Sequence, residues 1–156
     1  MKTMEMAQEQ EVLELPNDVF LKEVKALVAD GHRVTLRVRG VSMRPFLEDR
    51  RDRIVLEKPS SPQVGDAVLA EIAPGKYVYH RIVTIKDDMV TLKGDGNIWG
   101  VEQCRIEDIA ASTYAFIRKG REYFPQGGVW RWYSFLWPQW PFARRVLLKM
   151  YRIFRR

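Results

Sequence analysis

The sequence contains one cysteine and two histidines in 156 residues. A lone Cys104 excludes an intrachain disulfide and any zinc site built on several cysteines, and it reads as a buried bystander. With only His32 and His80, and no His/Cys/Asp spacing of the metal-binding kind, neither a metal nor another cofactor is expected. No glycine loop opens a helix as phosphate-binding motifs do, and no aromatic signature sits beside a basic strand, so a nucleic-acid partner is not expected either. Long apolar runs are missing as well. Residues 1–14 are polar and acidic, which predicts neither a signal peptide nor a membrane helix there. Internal repeats and low-complexity segments are likewise absent.

What is present fits one globular core. Charged residues make up 29% and apolar residues 46% of the chain, the balance of a soluble folded protein, at a length suited to one domain. The net charge of +6 is unevenly placed: residues 1–117 sum to −3 and residues 118–156 to +9. A mildly acidic body thus carries a strongly basic tail, which asks for an anionic partner.

Along the chain, Asn17 is placed to cap a helix starting at Asp18, with Phe20, Val24, Leu27 and Val28 on one apolar stripe and Gly31 as its stop. One such helix does not make a helix-turn-helix DNA reader. Strands are expected over residues 34–39, 54–56, 67–72, 77–85 and 89–92, with a closing strand near 111–118. Charged, Pro-Gly and Asp-Asp turns separate them. The fold class is therefore mainly β: a compact, coiled, antiparallel β domain with an N-terminal helix and a basic, aromatic, helical C-terminal tail. The expected division is a flexible N-terminus (1–16), a folded β domain (17–126) and the tail (127–156).

The run Val34-Thr35-Leu36-Arg37-Val38-Arg39 alternates apolar and basic residues, ends at Gly40, and delivers Ser42 two residues later. Pro45, with no N–H to donate, stops the strand from continuing as a paired one. A serine at such an exit suits a nucleophile and equally an ordinary turn. Gly40-Val41-Ser42-Met43-Arg44-Pro45-Phe46-Leu47 resembles the serine box of type I signal peptidases and the related LexA-type self-cleaving proteases. Val64-Gly65-Asp66-Ala67-Val68 resembles the Gly-Asp strand start that follows it in that clan. Tyr77-Val78-Tyr79-His80-Arg81-Ile82-Val83 resembles the strand carrying the catalytic base, and Lys93-Gly94-Asp95-Gly96-Asn97 the closing Gly-Asp-Asn box. The four occur in the family's order, with Arg51-Asp52 where the family usually has Gly-Asp. Signal peptidases usually begin with a transmembrane anchor, for which residues 1–14 offer no apolar run.

The resemblance implies a serine endopeptidase of the histidine-type branch, which includes endoplasmic-reticulum and sporulation-linked enzymes. Its substrate would be a leader or signal-like peptide or a precursor protein, bound extended beside a strand edge and cut after small residues. Ser42 would be the nucleophile and His80 the base. The chemistry agrees: a serine hydroxyl needs a base to take its proton, and histidine ordinarily titrates near 6.5, whereas a lysine must be desolvated to serve. The nearest lysines in sequence are Lys76 and Lys93. A histidine base works best with an acceptor on its other nitrogen. Asp95 is the candidate, although Gly-Asp-Gly-Asn is also plain turn chemistry; Asp66 reads as structural, and His32 as a surface residue. Some relatives place an oxyanion-stabilising hydroxyl two residues before the nucleophile, where this chain has Gly40, leaving the Ser42 N–H as the obvious donor. Gly40, Met43 and Pro45 would shape the oxyanion and substrate wall, though Met43 also suits the core.

In the tail, Gly127-Gly128 precedes a segment holding four of the five tryptophans. Arg131, Pro138 and Pro141 interrupt it, so it falls short of a bilayer span. From Ala143 onward Leu147, Met150, Tyr151 and Phe154 share one side of a helix, with Arg145, Lys149, Arg152 and Arg156 on the other. This is the pattern of an interfacial anchor on an anionic membrane surface, or of a helix packed on the body. The expected location is cytoplasmic or peripheral to a membrane. Two other classes stay open: a catalytically silent peptide-binding module of the same fold, and a basic membrane- or nucleic-acid-binding protein whose body is a scaffold.

Overall fold

The computed structural model describes residues 17–138 and 140–155. The expectation of a flexible segment over residues 1–16, the Asn17 side-chain cap and the place of Arg156 lie outside the described residues. Among them the chain forms three helices and eight strands: α1 (Asn17–Ala29), β1 (Val34–Arg37), β2 (Arg53–Glu57), β3 (Ala67–Ala73), β4 (Lys76–Lys86), β5 (Met89–Lys93), β6 (Glu102–Arg105), β7 (Ile109–Arg118), β8 (Arg121–Tyr123), α2 (Gly128–Leu136) and α3 (Pro141–Phe154).

The strands make one antiparallel sheet in the order β1-β2-β7-β3-β4-β5-β6, and β8 pairs with the end of β7. The protein is mainly β, with an N-terminal helix and C-terminal helices, as its alternating apolar runs require. Because side chains alternate across a strand, β4 serves two cores at once. Tyr77 and Tyr79 pack with Val24, Val28, Phe46, Leu47, Phe116 and Trp130. Val78 and Ile82 pack on the other side with Val68, Val90, Leu92 and Cys104. Each large apolar side chain so buried contributes about 1.5–3 kcal/mol.

α1 follows its i, i+4, i+8 stripe: Val24 and Val28 are buried and Phe20 packs beside them, with Leu21 joining rather than Leu27, which is exposed. Gly31, at φ +91°, ends the helix. β1 stops at Arg37, two residues short of the expected strand, and residues 40–47 form a chain of tight turns. Their spacing is held by Arg44 N–H donating to Val41 O (3.2 Å) and Leu47 N–H to Met43 O (3.0 Å). Gly40 takes φ +84° and donates its N–H to Asp49 Oδ1 at 2.7 Å. Its glycine serves that left-handed backbone, because a Cβ there would meet nothing within 4 Å.

The tail packs on the body, one of the two forms expected for it: α2 adds Trp130 to the core, and α3 turns the Arg144 side chain fully inward. Trp130 stacks on Phe116 with ring centroids 4.5 Å apart and meets Phe46 edge-on at 4.8 Å. Tyr133 stacks on Phe46 at 4.8 Å. The physical reason is that the body's sheet leaves Phe46 and Phe116 uncovered until an aromatic helix closes over them. No helix of the described residues is long and apolar enough to cross a membrane.

Candidate functional site

Ser42, His80 and the closing box come together where β4, β5 and the turns after β1 meet. β5 ends at Lys93, and the register Arg81↔Lys93, continued one step, sets Gly94 beside His80. A Cβ on Gly94 would lie 2.5 Å from Ser42 O, 2.7 Å from Asn97 Nδ2 and 3.1 Å from His80 Cδ2. The Ser42 backbone and the imidazole therefore converge on one point, which is vacant only because residue 94 is glycine. Gly96 is equally enclosed: its N–H donates to Ser42 O at 2.7 Å, and a Cβ there would run into Val41 O. Both glycines of the closing box are thus explained by close approach to the serine segment rather than by turn chemistry alone.

His80 is buried, at 6% exposure, and its Nδ1 lies 2.8 Å from Glu102 Oε2. Glu102 opens β6 and pairs across β5 with Leu92, itself opposite Ile82. His80, Ile82, Leu92 and Glu102 therefore share one face of the sheet, and the carboxylate reaches diagonally to the ring. A carboxylate at Nδ1 accepts the Nδ1–H and leaves Nε2 as the basic nitrogen. Ser42 is half-buried. No hydrogen bond joins it to His80 among the described residues; catalytic hydrogen bonds of this kind tighten around substrate.

Asp95 is not the orienter, and here the structure corrects the sequence reading. Arg81, next to His80 but on the opposite face, forks Asp95 with two bonds of 2.8 Å, from Nε to Oδ1 and from Nη2 to Oδ2. Tyr133 O–H donates to the same carboxylate at 2.7 Å, and Trp137 Nε1–H to its main-chain oxygen at 3.1 Å. Asp95 is nearly fully buried and satisfied there, and its work is to tie β4 to α2. Burial, reinforced by the Asp95 charge, pushes the Tyr133 phenol well above its ordinary value, so it stays a donor.

The other expected residues fall as follows. Met43 lies within the buried core, so it packs inward and is not an open wall; Pro45 is half-buried beside it. Asp66 shapes the turn before β3, accepting the Gln63 N–H at 2.9 Å; burial raises its carboxyl above the usual range. Lys93 shares the face of Arg81, not that of His80. The Cys104 thiol is buried, which pushes it up and leaves it inert. No cluster of metal-binding side chains occurs among the described residues.

Sequence reading missed two sets of residues. One is Glu102. The other is the clamp that α3 places on the closing box and on Glu48, the residue after the serine box: buried Arg144 donates to Gly94 O (3.0 Å) and Asn97 O (3.1 Å), and Tyr151 O–H donates to Glu48 Oε2 at 2.8 Å. Glu48 also accepts from Arg44 and Arg155. Burial pushes the Glu48 carboxyl up, but the bonds from Arg44 and Tyr151 and the nearby guanidinium charges outweigh it and hold it below the usual range.

No protein-family model matches the chain, and no curated protein does. The functional reading therefore rests on the four sequence boxes and on this geometry.

Proposed function

We propose that the protein is a serine endopeptidase that removes a leader or signal-like peptide, acting in the cytoplasm or peripherally on a membrane. Ser42 is the nucleophile, His80 the general base and then acid, and Glu102 the residue that orients the imidazole. The observation that carries this reading is the buried His80 ring, held at Nδ1 by Glu102 and packed at Cδ2 beside the Ser42 backbone across Gly94. A histidine oriented by a carboxylate, with a serine segment approaching it across a glycine, supports the Ser-His-Glu arrangement that acyl transfer uses.

In the reaction, His80 Nε2 takes the Ser42 Oγ proton as Oγ attacks the scissile carbonyl. Negative charge develops on the carbonyl oxygen. The Ser42 N–H, which donates to no group among the described residues, is the donor in place for it. The imidazolium, stabilised by Glu102, then gives its proton to the leaving amine. Water, deprotonated by the same ring, releases the acyl group and restores Ser42. Among the described residues β1 pairs with β2 alone, and its other edge would receive an extended substrate strand leading toward Ser42.

A serine-directed fluorophosphonate tests the reading. The folded chain should be labelled at Ser42, the label should vanish in Ser42→Ala, and it should form far more slowly in His80→Ala. A folded chain whose Ser42 stays unlabelled would instead be a silent peptide-binding module.

A further inference from the structure

α3 is packed the wrong way round for a helix whose outer face meets only water. The side chain it turns fully into the body is a guanidinium, Arg144 at 1% exposure. Its apolar residues at i, i+4, i+8 and i+11, namely Phe142, Val146, Met150 and Ile153, point outward, with Phe142 79% and Ile153 60% exposed. α2 repeats the pattern: Trp130 is buried, while Trp132, Phe135 and Leu136 are 66%, 81% and 68% exposed. Large apolar side chains this exposed on two consecutive helices mark a face that is covered in use.

We propose that this outer face of α2 and α3 seats the protein in the interface of an anionic phospholipid bilayer, lying in its plane. Charge selects the occupant. Residues 127–156 carry seven Lys/Arg and no Asp/Glu. Arg145, Lys149 and Arg152 run along α3 at i, i+4 and i+7, flanking the apolar stripe. A second copy docked through the same face would set these cations against each other, whereas lipid phosphates neutralise them while the acyl boundary takes the aromatic residues. A cleft of about 550 Å³, lined by Arg44, Glu48, Arg51, Arg152 and Arg155, opens at this basic flank. Arg44 and Arg155 are held by Glu48 and Arg51 by Asp52, which leaves exposed Arg152 as the cleft's cation turned to a headgroup phosphate. The same helix reaches Gly94 and Asn97 through Arg144, which joins the docked face to the closing box beside His80.

The inference takes up the peripheral placement above and is independent of the peptidase chemistry, so its test measures binding alone. The full chain is sedimented with vesicles of phosphatidylglycerol and phosphatidylcholine, and with phosphatidylcholine alone, at rising salt. Binding should be about tenfold or more tighter with the anionic lipid and should weaken with salt. Phe142→Gln with Ile153→Gln, both exposed and so harmless to the fold, should abolish sedimentation at every salt concentration. Arg145→Gln with Lys149→Gln should weaken it at low salt and little at high salt. Failure of the folded wild-type chain to sediment with either vesicle overturns the proposal. So does a dimer, seen by light scattering, that the Phe142/Ile153 variant splits.

Discussion

Glu102 Oε2 and His80 Nδ1 are joined at 2.8 Å across two strand steps, from β4 over β5 to β6. This pairing fixes the tautomer and aims Nε2 away from the carboxylate. Glu102→Gln keeps the size of the side chain and removes its charge. It should lower the rate of Ser42 phosphonylation by a factor on the order of 10²–10⁴ while leaving the melting temperature nearly unchanged. The His80→Ala/Glu102→Gln double variant should be little slower than His80→Ala, because the two act as one unit. An unchanged labelling rate in Glu102→Gln would leave Glu102 as a packing partner only.

Asp95 predicts a different phenotype. It is buried between the Arg81 guanidinium and the Tyr133 hydroxyl, so Asp95→Ala strands a buried cation and should cost about 3–5 kcal/mol. Tyr133→Phe removes one charge-assisted bond and should cost about 1.5–3 kcal/mol. A chain cut at residue 126 loses Trp130, Tyr133 and Arg144 together. It should therefore lack a cooperative unfolding transition and expose Phe46 and Phe116. Chemical unfolding followed by circular dichroism measures all three. A truncated chain that still unfolds cooperatively would detach the tail from the core.

Much of the frame was legible in sequence. Six of the eight strands announced themselves by alternation, and β6 and β8 did not; the boxes follow the order of the resemblance, and the Ser42 backbone, His80 and Gly94 lie close together. Glu102 was not legible, because its approach to His80 depends on the β5–β6 register, and Glu102-Gln103-Cys104-Arg105 has no strong alternating pattern. Asp95 was misassigned because turn chemistry hides what a carboxylate faces: His80 and Arg81 are adjacent in sequence, yet they point to opposite sides of the sheet. Arg144 was illegible for a related reason. A helical projection sets it about 100° from Arg145 and beside Leu148 and Tyr151, where a cation carries no sign in sequence of what it will meet. Only the carbonyl oxygens of Gly94 and Asn97, far away in sequence, single out Arg144 for burial.

Gly94 and Gly40 should respond differently to alanine, for reasons of space and backbone respectively. At Gly94 the new Cβ would press on Ser42 O at 2.5 Å and on His80 Cδ2 at 3.1 Å. Gly94→Ala should destabilise by about 1–3 kcal/mol and also slow Ser42 labelling, since it displaces nucleophile and base from each other. At Gly40 there is room, and only the φ of +84° resists. Gly40→Ala should cost about 1–2 kcal/mol with a smaller effect on labelling. Equal losses of reactivity in the two variants would mean that the Gly94 approach does not set the geometry.

Acid should act on the α3 clamp. The Glu48 carboxyl is held below its ordinary range, with burial opposing and the bonds from Arg44 and Tyr151 prevailing. Asp52 is also lowered: burial opposes again, but the Arg51 fork and the N–H groups of Glu48 and Lys119 outweigh it. A carboxyl whose folded value lies below its unfolded one stabilises the fold fully above the unfolded value, about 4 for these side chains. That contribution fades as pH falls through the folded value. Asp66 works the other way, since burial raises it, and it offsets part of the loss. The melting temperature should therefore hold above about pH 5 and fall steeply below about pH 4. Glu48→Gln removes the ionised acceptor of Arg44, Tyr151 and Arg155. It should lose about 1–3 kcal/mol at neutral pH and show a shallower acid limb than the wild type. Parallel acid limbs for the two proteins would mean that Glu48 does not couple α3 docking to protonation.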